Sequence, residues 1–153
     1  MNALNSLLQC TGQWQGENRL YLSTDDPGEV STSTVSFTGL LANTFVRIDQ
    51  TWAYQGSPQA GSFLIGFEPK FSRVSAHWVD TFHTGRKVIA FTGAPREDQM
   101  IEVLGAYAAP PGPDWGWRIQ IGLKPAGQLE IRMFNITPEG KEELAVLATY
   151  GRA

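Results

Sequence analysis

A tryptophan and a carboxylate in one β-type run are the first candidates for a site. The run is Arg73–His83, RVSAHWVDTFH. Alternate residues of a strand point to the same face, so Trp78 and Asp80 share a face with Phe82. Facing a cavity, Trp78 would form a stacking wall and Asp80 would orient a ligand by accepting a hydrogen bond. The alternative is that Trp78 is core and Asp80 is a structural acceptor.

Arg118 and Arg132 lie near the middle of two consecutive predicted strands. If both turned inward, they could bind a carboxylate bidentately. Aromatic and aliphatic residues occupy the face opposite Arg118, so a solvated Arg118 is the simpler interpretation. Arg47 and Asp49 share a face of an earlier strand. They are further candidates for a polar lining, although pairs of opposite charge at this spacing are more often surface pairs.

Tyr107 aligns with an apolar strand face that includes Ile101 and Val103. Its hydroxyl would need a partner if buried, or it could donate a hydrogen bond to a ligand. Together with Asp80 it forms the best pair for general acid–base catalysis inside a cavity. Such a pair needs a perturbed pKa and hydrogen-bond reach to the substrate. The sequence itself assigns no catalytic residue.

Metal and cofactor sites are not expected. His77 and His83 are the two histidines, and six residues along one strand separate them by about 20 Å, too far for one ion. Cys10 is the single cysteine, which excludes an internal disulfide and sites built from several thiolates. The patterns of a phosphate-binding loop and of a nucleophile elbow are absent from the sequence.

Composition and charge limit the partners. The 153 residues carry a net charge of −3 and show no cluster of lysine and arginine, so nucleic acids and anionic membranes are not expected. No stretch approaches the roughly 20 apolar residues that span a bilayer. The first residues lack the basic and apolar regions of a signal peptide. We therefore expect a cytoplasmic protein with no membrane span.

The pattern of elements predicts one all-β domain over residues 1–153. Leu4, Leu7 and Leu8 predict a short N-terminal helix. About ten short strands follow, with turn residues between them; they are predicted at Gly12–Ser23, Glu29–Leu40, Thr44–Gln55, Gly61–Glu68, Arg73–His83, Lys87–Thr92, Met100–Ala109, Trp115–Lys124, Gln128–Thr137 and Glu142–Tyr150. Because no helices intervene, we expect a single antiparallel up-and-down barrel, whose closure removes exposed sheet edges.

Three motifs carry a family resemblance. Gly12-Gln13-Trp14-Gln15-Gly16 resembles the G-x-W entry of lipocalins and other calycins. The stretch Gly61–Glu68, followed by Trp78-Val79-Asp80-Thr81, resembles a bacterial lipocalin-like family of unknown function. The resemblance implies a barrel with an internal cavity and with Trp14 packed across one end. Haem proteins of this architecture use a C-terminal histidine, which the segment LAVLATYGRA lacks, so no haem is implied.

Three functional hypotheses follow. The first is a barrel that binds a small hydrophobic or amphipathic molecule in its interior. The second is a cavity-based calycin-like enzyme, a lyase or isomerase, that uses Asp80 and Tyr107. The third is an interaction protein whose barrel is solid. A homodimer is compatible with all three, because symmetric dimers are common.

Overall fold

The structure is a computed structural model that describes residues 2–153. A short helix, α1 (Ala3–Leu8), begins at Asn2, whose side chain accepts the N–H of Leu4 at 2.8 Å. Ten strands follow: β1 (Gly12–Leu20), β2 (Glu29–Leu40), β3 (Phe45–Tyr54), β4 (Ser57–Glu68), β5 (Arg73–Asp80), β6 (Ile89–Pro95), β7 (Ile101–Tyr107), β8 (Trp115–Leu123), β9 (Leu129–Ile136) and β10 (Glu142–Arg152). A 3-10 turn at Pro69–Phe71 joins β4 to β5.

The strands form one closed barrel. Each strand pairs antiparallel with its neighbours in sequence, and β1 also pairs with β10. Trp14 illustrates the closure, because it lies opposite Val35 of β2 on one side and Arg152 of β10 on the other. The predicted all-β fold, a single up-and-down antiparallel barrel with a short N-terminal helix, is therefore confirmed. Within residues 2–153, no helix combines the length and apolar character needed to cross a membrane.

The hydrophobic core lies inside the barrel and is formed by the inward faces of the strands. On β5, for example, burial alternates strictly, with Val74, Ala76, Trp78 and Asp80 inside. Burial of such side chains is the main term that favours folding. The largest fully buried side chains come from several strands and include Phe37, Ile48, Phe63, Ile65, Trp78, Phe91, Ile119, Ile121 and Tyr150.

The start of β4 differs from the sequence prediction. The predicted strand began at Gly61, after a gap from the end of the preceding strand at Gln55, but β4 begins at Ser57. Gln55 and Gly56 form a two-residue hairpin with positive φ angles of 49° and 79°, which matches the twist of the paired strands. Pro58 is tolerated because it lies beyond Gly61, where pairing with β5 begins.

The end of β5 also differs, and this difference shapes the site. The predicted strand ran to His83, but β5 ends at Asp80. The Oδ1 atom of Asp80 accepts the backbone N–H groups of Phe82 and His83, each at 2.8 Å. The Thr84 hydroxyl accepts the N–H of Asp80 at 2.8 Å and donates to its carbonyl at 3.0 Å. These local bonds replace strand pairing with a turn.

Helix α1 closes one end of the barrel. Its residues Leu4 and Leu7 are buried with the core. The indole of Trp14 donates to the carbonyl of Cys10 at 2.7 Å, and the guanidinium of Arg152 lies 4.2 Å from the Trp14 ring. Trp14 is thus packed at this end, as the family resemblance implies. The β5–β6 loop, residues 81–88, lies at the opposite end.

Candidate ligand-binding site

A cavity of about 200 Å³ lies at the barrel end opposite α1. It is lined by aromatic and aliphatic side chains from four strands, β5 to β8, and the β5–β6 loop: Trp78, Phe82, His83, Ile89, Tyr107 and Trp117. None of these six carries a charge while His83 is neutral. For comparison, an apolar cavity of about 150 Å³ is enough to hold benzene. We call these six residues the aromatic pocket.

Stacked rings form the wall of the aromatic pocket. Trp78 lies between Phe63 and Trp117, with ring centroids 5.7 and 5.8 Å away and interplanar angles of 5° and 20°. Phe63 and Trp78 are paired across β4 and β5, so the backbone register brings these two rings together. Offset stacking of this kind is favourable and fixes the ring planes.

The imidazole of His83 sits among these rings. Its centroid is 5.4 Å from Trp52, 5.4 Å from Trp78 and 5.3 Å from Trp117. Its nitrogens make no hydrogen bond within residues 2–153. Burial lowers the pKa of His83 to about 4, although the nearby charge of Asp80 acts in the opposite direction. His83 is therefore neutral at physiological pH.

Two indole N–H groups beside His83 have no partner. The Nε1 atoms of Trp78 and Trp117 are buried and unbonded in the described part of the chain. By contrast, Trp52 donates to Asp80 at 3.1 Å. A buried donor without an acceptor costs about 1–3 kcal/mol, so two of them on neighbouring residues of the pocket lining need a physical explanation.

Asp80 and Tyr107 each have partners of their own. The Asp80 carboxylate accepts three hydrogen bonds, from the Trp52 indole and from two backbone N–H groups of the turn. The hydroxyl of Tyr107 donates to Asn135 at 2.6 Å, and burial raises its pKa. Asp80 therefore has the contacts of a structural acceptor, while Tyr107 lines the aromatic pocket.

Arg47 and Asp49, two of the charged candidates, lie on the outer face of β3. They form an ion pair at 3.0 Å, with the side chain of Arg47 56% exposed. The inward residues of this strand are apolar or amide side chains, such as Ile48 and Gln50. The structure does not bring Arg47 and Asp49 to the aromatic pocket.

Arg118 and Arg132 also point outward. Arg118 donates to Glu142 at 2.7 Å and contacts Glu102 at 3.4 Å, and Arg132 donates to Glu130 at 2.6 Å. The apolar residues of β8, such as Trp117 and Ile119, occupy the opposite, inward face. A carboxylate in the aromatic pocket would therefore meet neither guanidinium, and the charged candidates lie outside the site.

Sequence reasoning did not select four of the pocket residues, Phe82, His83, Ile89 and Trp117, and it placed only Phe82 on the face of Trp78. Strict alternation through His83 placed it on the face opposite Trp78, whereas the turn at Asp80 directs it into the barrel mouth. The spacing of Asp80 and Thr84, both strong formers of local side-chain bonds, was the available signal.

A polar cluster lies inside the barrel on β1, β2, β3 and β10. The Tyr150 hydroxyl accepts a hydrogen bond from Gln50 at 2.8 Å and is 2.8 Å from the Ser33 hydroxyl. Gln50 also donates to Asn18 at 3.4 Å. Burial raises the pKa of Tyr150 to about 12. Because its members bond to one another, the cluster stabilises this wall of the barrel.

No metal centre is evident. Groups of three or more histidine, cysteine and carboxylate side chains that could hold an ion are absent from residues 2–153. Cys10 is fully buried, and burial raises the pKa of its thiol to about 11. It behaves as a small apolar side chain.

The fold and the cavity define a ten-stranded up-and-down β-barrel with an aromatic pocket at one end. The chain belongs to the family described as "Protein of unknown function (DUF1579)", whose sequence model matches residues 3–152. None of the curated proteins matches this chain. The crystal structure of Rv2717c from M. tuberculosis is similar over 99% of this chain and 97% of that one, with a TM-score of 0.63 and 16% identity. At this identity the likeness supports the fold alone.

Proposed function

We propose that the protein binds a small apolar or amphipathic molecule in the aromatic pocket. The observation that carries this proposal is the cavity of about 200 Å³ with an aromatic and aliphatic lining at the end of the barrel that α1 does not close. Pockets for small molecules are typically concave and mostly apolar, with few polar groups. The aromatic pocket fits this description.

The size of the cavity limits the buried part of the ligand. Drug-sized ligands occupy pockets of roughly 300–1,000 Å³, so this cavity holds about one or two rings or a short alkyl segment. A polar remainder would extend past Ile89 and Tyr107, which lie at the ends of β6 and β7 on the mouth side. This geometry suits an amphipathic molecule with one buried end.

The two other hypotheses have less support. In a cavity-based enzyme, Asp80 would need a free oxygen directed at the substrate, but its carboxylate already accepts three hydrogen bonds. In a solid-core interaction protein, the barrel interior would be filled at both ends. The cavity at the mouth favours binding instead.

A blocking substitution tests the proposal. Ile89→Trp would place an indole in the cavity, whereas the adjacent Val88 is 66% exposed and lies outside it. Titration of tryptophan fluorescence with 1-naphthol and with decanoate should show binding to the unmodified protein, with affinity at least tenfold weaker in Ile89→Trp and unchanged in Val88→Trp. If neither compound binds and neither raises the melting temperature, the proposal is wrong.

The finer assignments rest on the sequence. We infer from the G-x-W-x-G and W-V-D-T motifs that the barrel is a lipocalin-like calycin of bacterial origin, and we propose that it acts in the cytoplasm. The packing of Trp14 at the helix end supports the first inference. Sedimentation of the purified chain would test the proposed homodimer.

A further inference from the structure

We infer that the ligand is a neutral, planar aromatic molecule with a hydrogen-bond acceptor, and that it binds by displacing the His83 ring from the aromatic pocket. This inference rests on the proposed function and names its ligand class. Three observations support it: a flat ring already occupies the space, only packing holds that ring, and the two neighbouring indole donors are unpartnered.

The His83 imidazole marks the place of a flat ring. It stacks on Trp52 with an interplanar angle of 24° and lies at 35° and 48° to Trp78 and Trp117. Phe82 contacts the same imidazole edge to face, at 5.0 Å and 83°. Four aromatic side chains therefore contact one planar heteroaromatic ring, which stays partly exposed, and an aromatic ligand of similar thickness can make the same contacts.

Packing alone holds the imidazole in the pocket. The backbone at His83 is fixed by Asp80 and Thr84, but the imidazole nitrogens have no bond to residues 2–153. Rotation about the side-chain bonds can therefore move the ring out without breaking the turn.

The unpartnered indoles supply the specificity. His83 packs on both Trp78 and Trp117, whose Nε1 atoms are buried without an acceptor. A ligand with a carbonyl oxygen or a ring nitrogen in place of His83 can accept from one of them. Binding would then remove the free-energy cost of leaving that N–H group unpaired in the ligand-free protein.

The surroundings favour a neutral ligand over a cation. Aromatic boxes can also bind cations through their ring faces. Here, however, burial lowers the pKa of His83 despite the negative charge of Asp80. The surrounding aromatic rings therefore disfavour a positive charge on the imidazole. The other titratable group at the pocket is Tyr107, which is neutral over the same pH range. The Asp80 carboxylate is occupied by three donors.

Three matched bicyclic compounds and one acyclic compound test the ligand class. Naphthalene has no acceptor, quinoline has one ring nitrogen, N-methylquinolinium is a cation of the same shape, and decanoate is acyclic. At pH 7.5, where quinoline is neutral, calorimetric titration should show quinoline binding about fivefold tighter than naphthalene and at least tenfold tighter than N-methylquinolinium.

The outcomes separate this inference from the proposed function. Preferred binding of N-methylquinolinium, or equal binding of naphthalene and quinoline, would overturn the ligand class. If decanoate binds to the unmodified protein more tightly than to Ile89→Trp, and no aromatic compound binds, the proposed function stands and the inference is wrong. If none of the four compounds binds, both are wrong.

Substitutions test the two structural claims separately. His83→Ala removes the ring that must leave, so quinoline and naphthalene should both bind about tenfold tighter. His77→Ala, the matched control on the exposed face of β5, should leave both affinities unchanged. Trp117→Phe and Trp78→Phe keep a ring but remove one N–H each. At least one of them should abolish the preference for quinoline over naphthalene.

A measurement on the unmodified protein tests displacement without any substitution. The two histidines give two sets of imidazole resonances, which His77→Ala assigns. Stacking against indoles shifts the ring protons of His83 upfield. Saturation with quinoline should move them to the positions of a solvated imidazole and raise the pKa of His83 from about 4 towards 6.5. If quinoline binds while both quantities stay unchanged, His83 is not displaced.

Discussion

The carboxylate of Asp80 accepts the backbone N–H of His83 at 2.8 Å, and this bond turns the chain from the end of β5 back over the barrel mouth. The same carboxylate oxygen accepts the N–H of Phe82, and the second oxygen accepts the Trp52 indole N–H. One buried side chain thus fixes both Trp52, which stacks on His83, and the loop over the aromatic pocket.

Asp80→Asn should lower the free energy of unfolding by about 1–3 kcal/mol. The amide oxygen can still accept the two backbone N–H groups, but its NH₂ group would face the Trp52 donor. In an Asp80→Asn, Trp52→Phe double variant that conflict is absent, so Trp52→Phe should cost less than it does in the unmodified protein. Urea unfolding of all four proteins measures this coupling; additive effects would contradict the assigned contact.

The free energy of unfolding should decrease as the pH falls, because His83 becomes protonated more readily in the unfolded chain. Its pKa is lowered by burial from 6.5 to about 4, so the folded protein favours the neutral ring. The contribution is complete above pH 6.5 and is lost as the pH falls from 6.5 to 4. Unfolding in urea should show a loss on the order of 1 kcal/mol between pH 7 and pH 5.

Variants identify the source of that pH dependence. His83→Phe keeps an aromatic ring without titration, so its stability should change less than that of the unmodified protein over the same pH interval. His77→Gln removes the exposed histidine and should retain the full change. An identical pH dependence in His83→Phe and the unmodified protein would assign the effect to other groups.

Tyr150→Phe should destabilise the barrel by about 1–3 kcal/mol. The substitution removes the hydroxyl that contacts Gln50 and Ser33 inside the barrel. Tyr107→Phe is the matched change, and it should cost less because Tyr107 is only partly buried and its hydroxyl has one partner, Asn135. Denaturant midpoints compare the two variants; the reverse order would show that the polar cluster does not stabilise this wall.

Gly16→Ala should be among the most damaging small changes, at about 3 kcal/mol. A Cβ at Gly16 would overlap the backbone carbonyl of Thr149 on the paired strand β10. Gly151 lies on the same ladder, and a Cβ there meets no heavy atom of residues 2–153 within 4 Å. Gly151→Ala should therefore be neutral in thermal unfolding. Similar losses in both variants would contradict the described approach of β1 and β10.

Arg118→Gln and Arg132→Gln should leave ligand affinity unchanged. Both guanidinium groups pair with carboxylates on the outer face of the barrel, so neither reaches the aromatic pocket. Fluorescence titration with 1-naphthol measures this directly. A loss of affinity above about threefold in either variant would place the binding site elsewhere than the mouth. The effect of Arg118→Gln on stability should stay within about 1 kcal/mol, as for other surface ion pairs.

The barrel was predictable because its strands are regular. Alternating residues such as Val74, Ala76 and Trp78 follow from the period of a pleated strand, and the β-branched and aromatic residues Val146, Thr149 and Tyr150 favour a strand at β10. The start of β4 was not predictable. Pro58 indicates a break in a strand, and the sequence does not show that it lies at the margin of the sheet, where proline is tolerated.

The site was only partly predictable, because side-chain bonds decide it. Trp78 and Tyr107 were identified from alternation and line the pocket. His83 was not, since the hydrogen bonds that Asp80 accepts from Phe82 and His83 form a turn and reverse the face that alternation assigns. Arg118 and Arg132 were selected because two guanidinium groups can bind a carboxylate. Their neighbours Trp117 and Ile131 are buried on the inward faces of β8 and β9, so both arginines lie on the outer face of the barrel.

The closure of one end by α1 has a kinetic consequence. With Leu4, Leu7 and Trp14 sealing that end, a molecule held at the other end would enter and leave by a single route. The barrel therefore has one open end, and a molecule could not pass through it from end to end. Association and release would share one transition state at the rim, and any bulky substituent on the guest would have to project there into solvent.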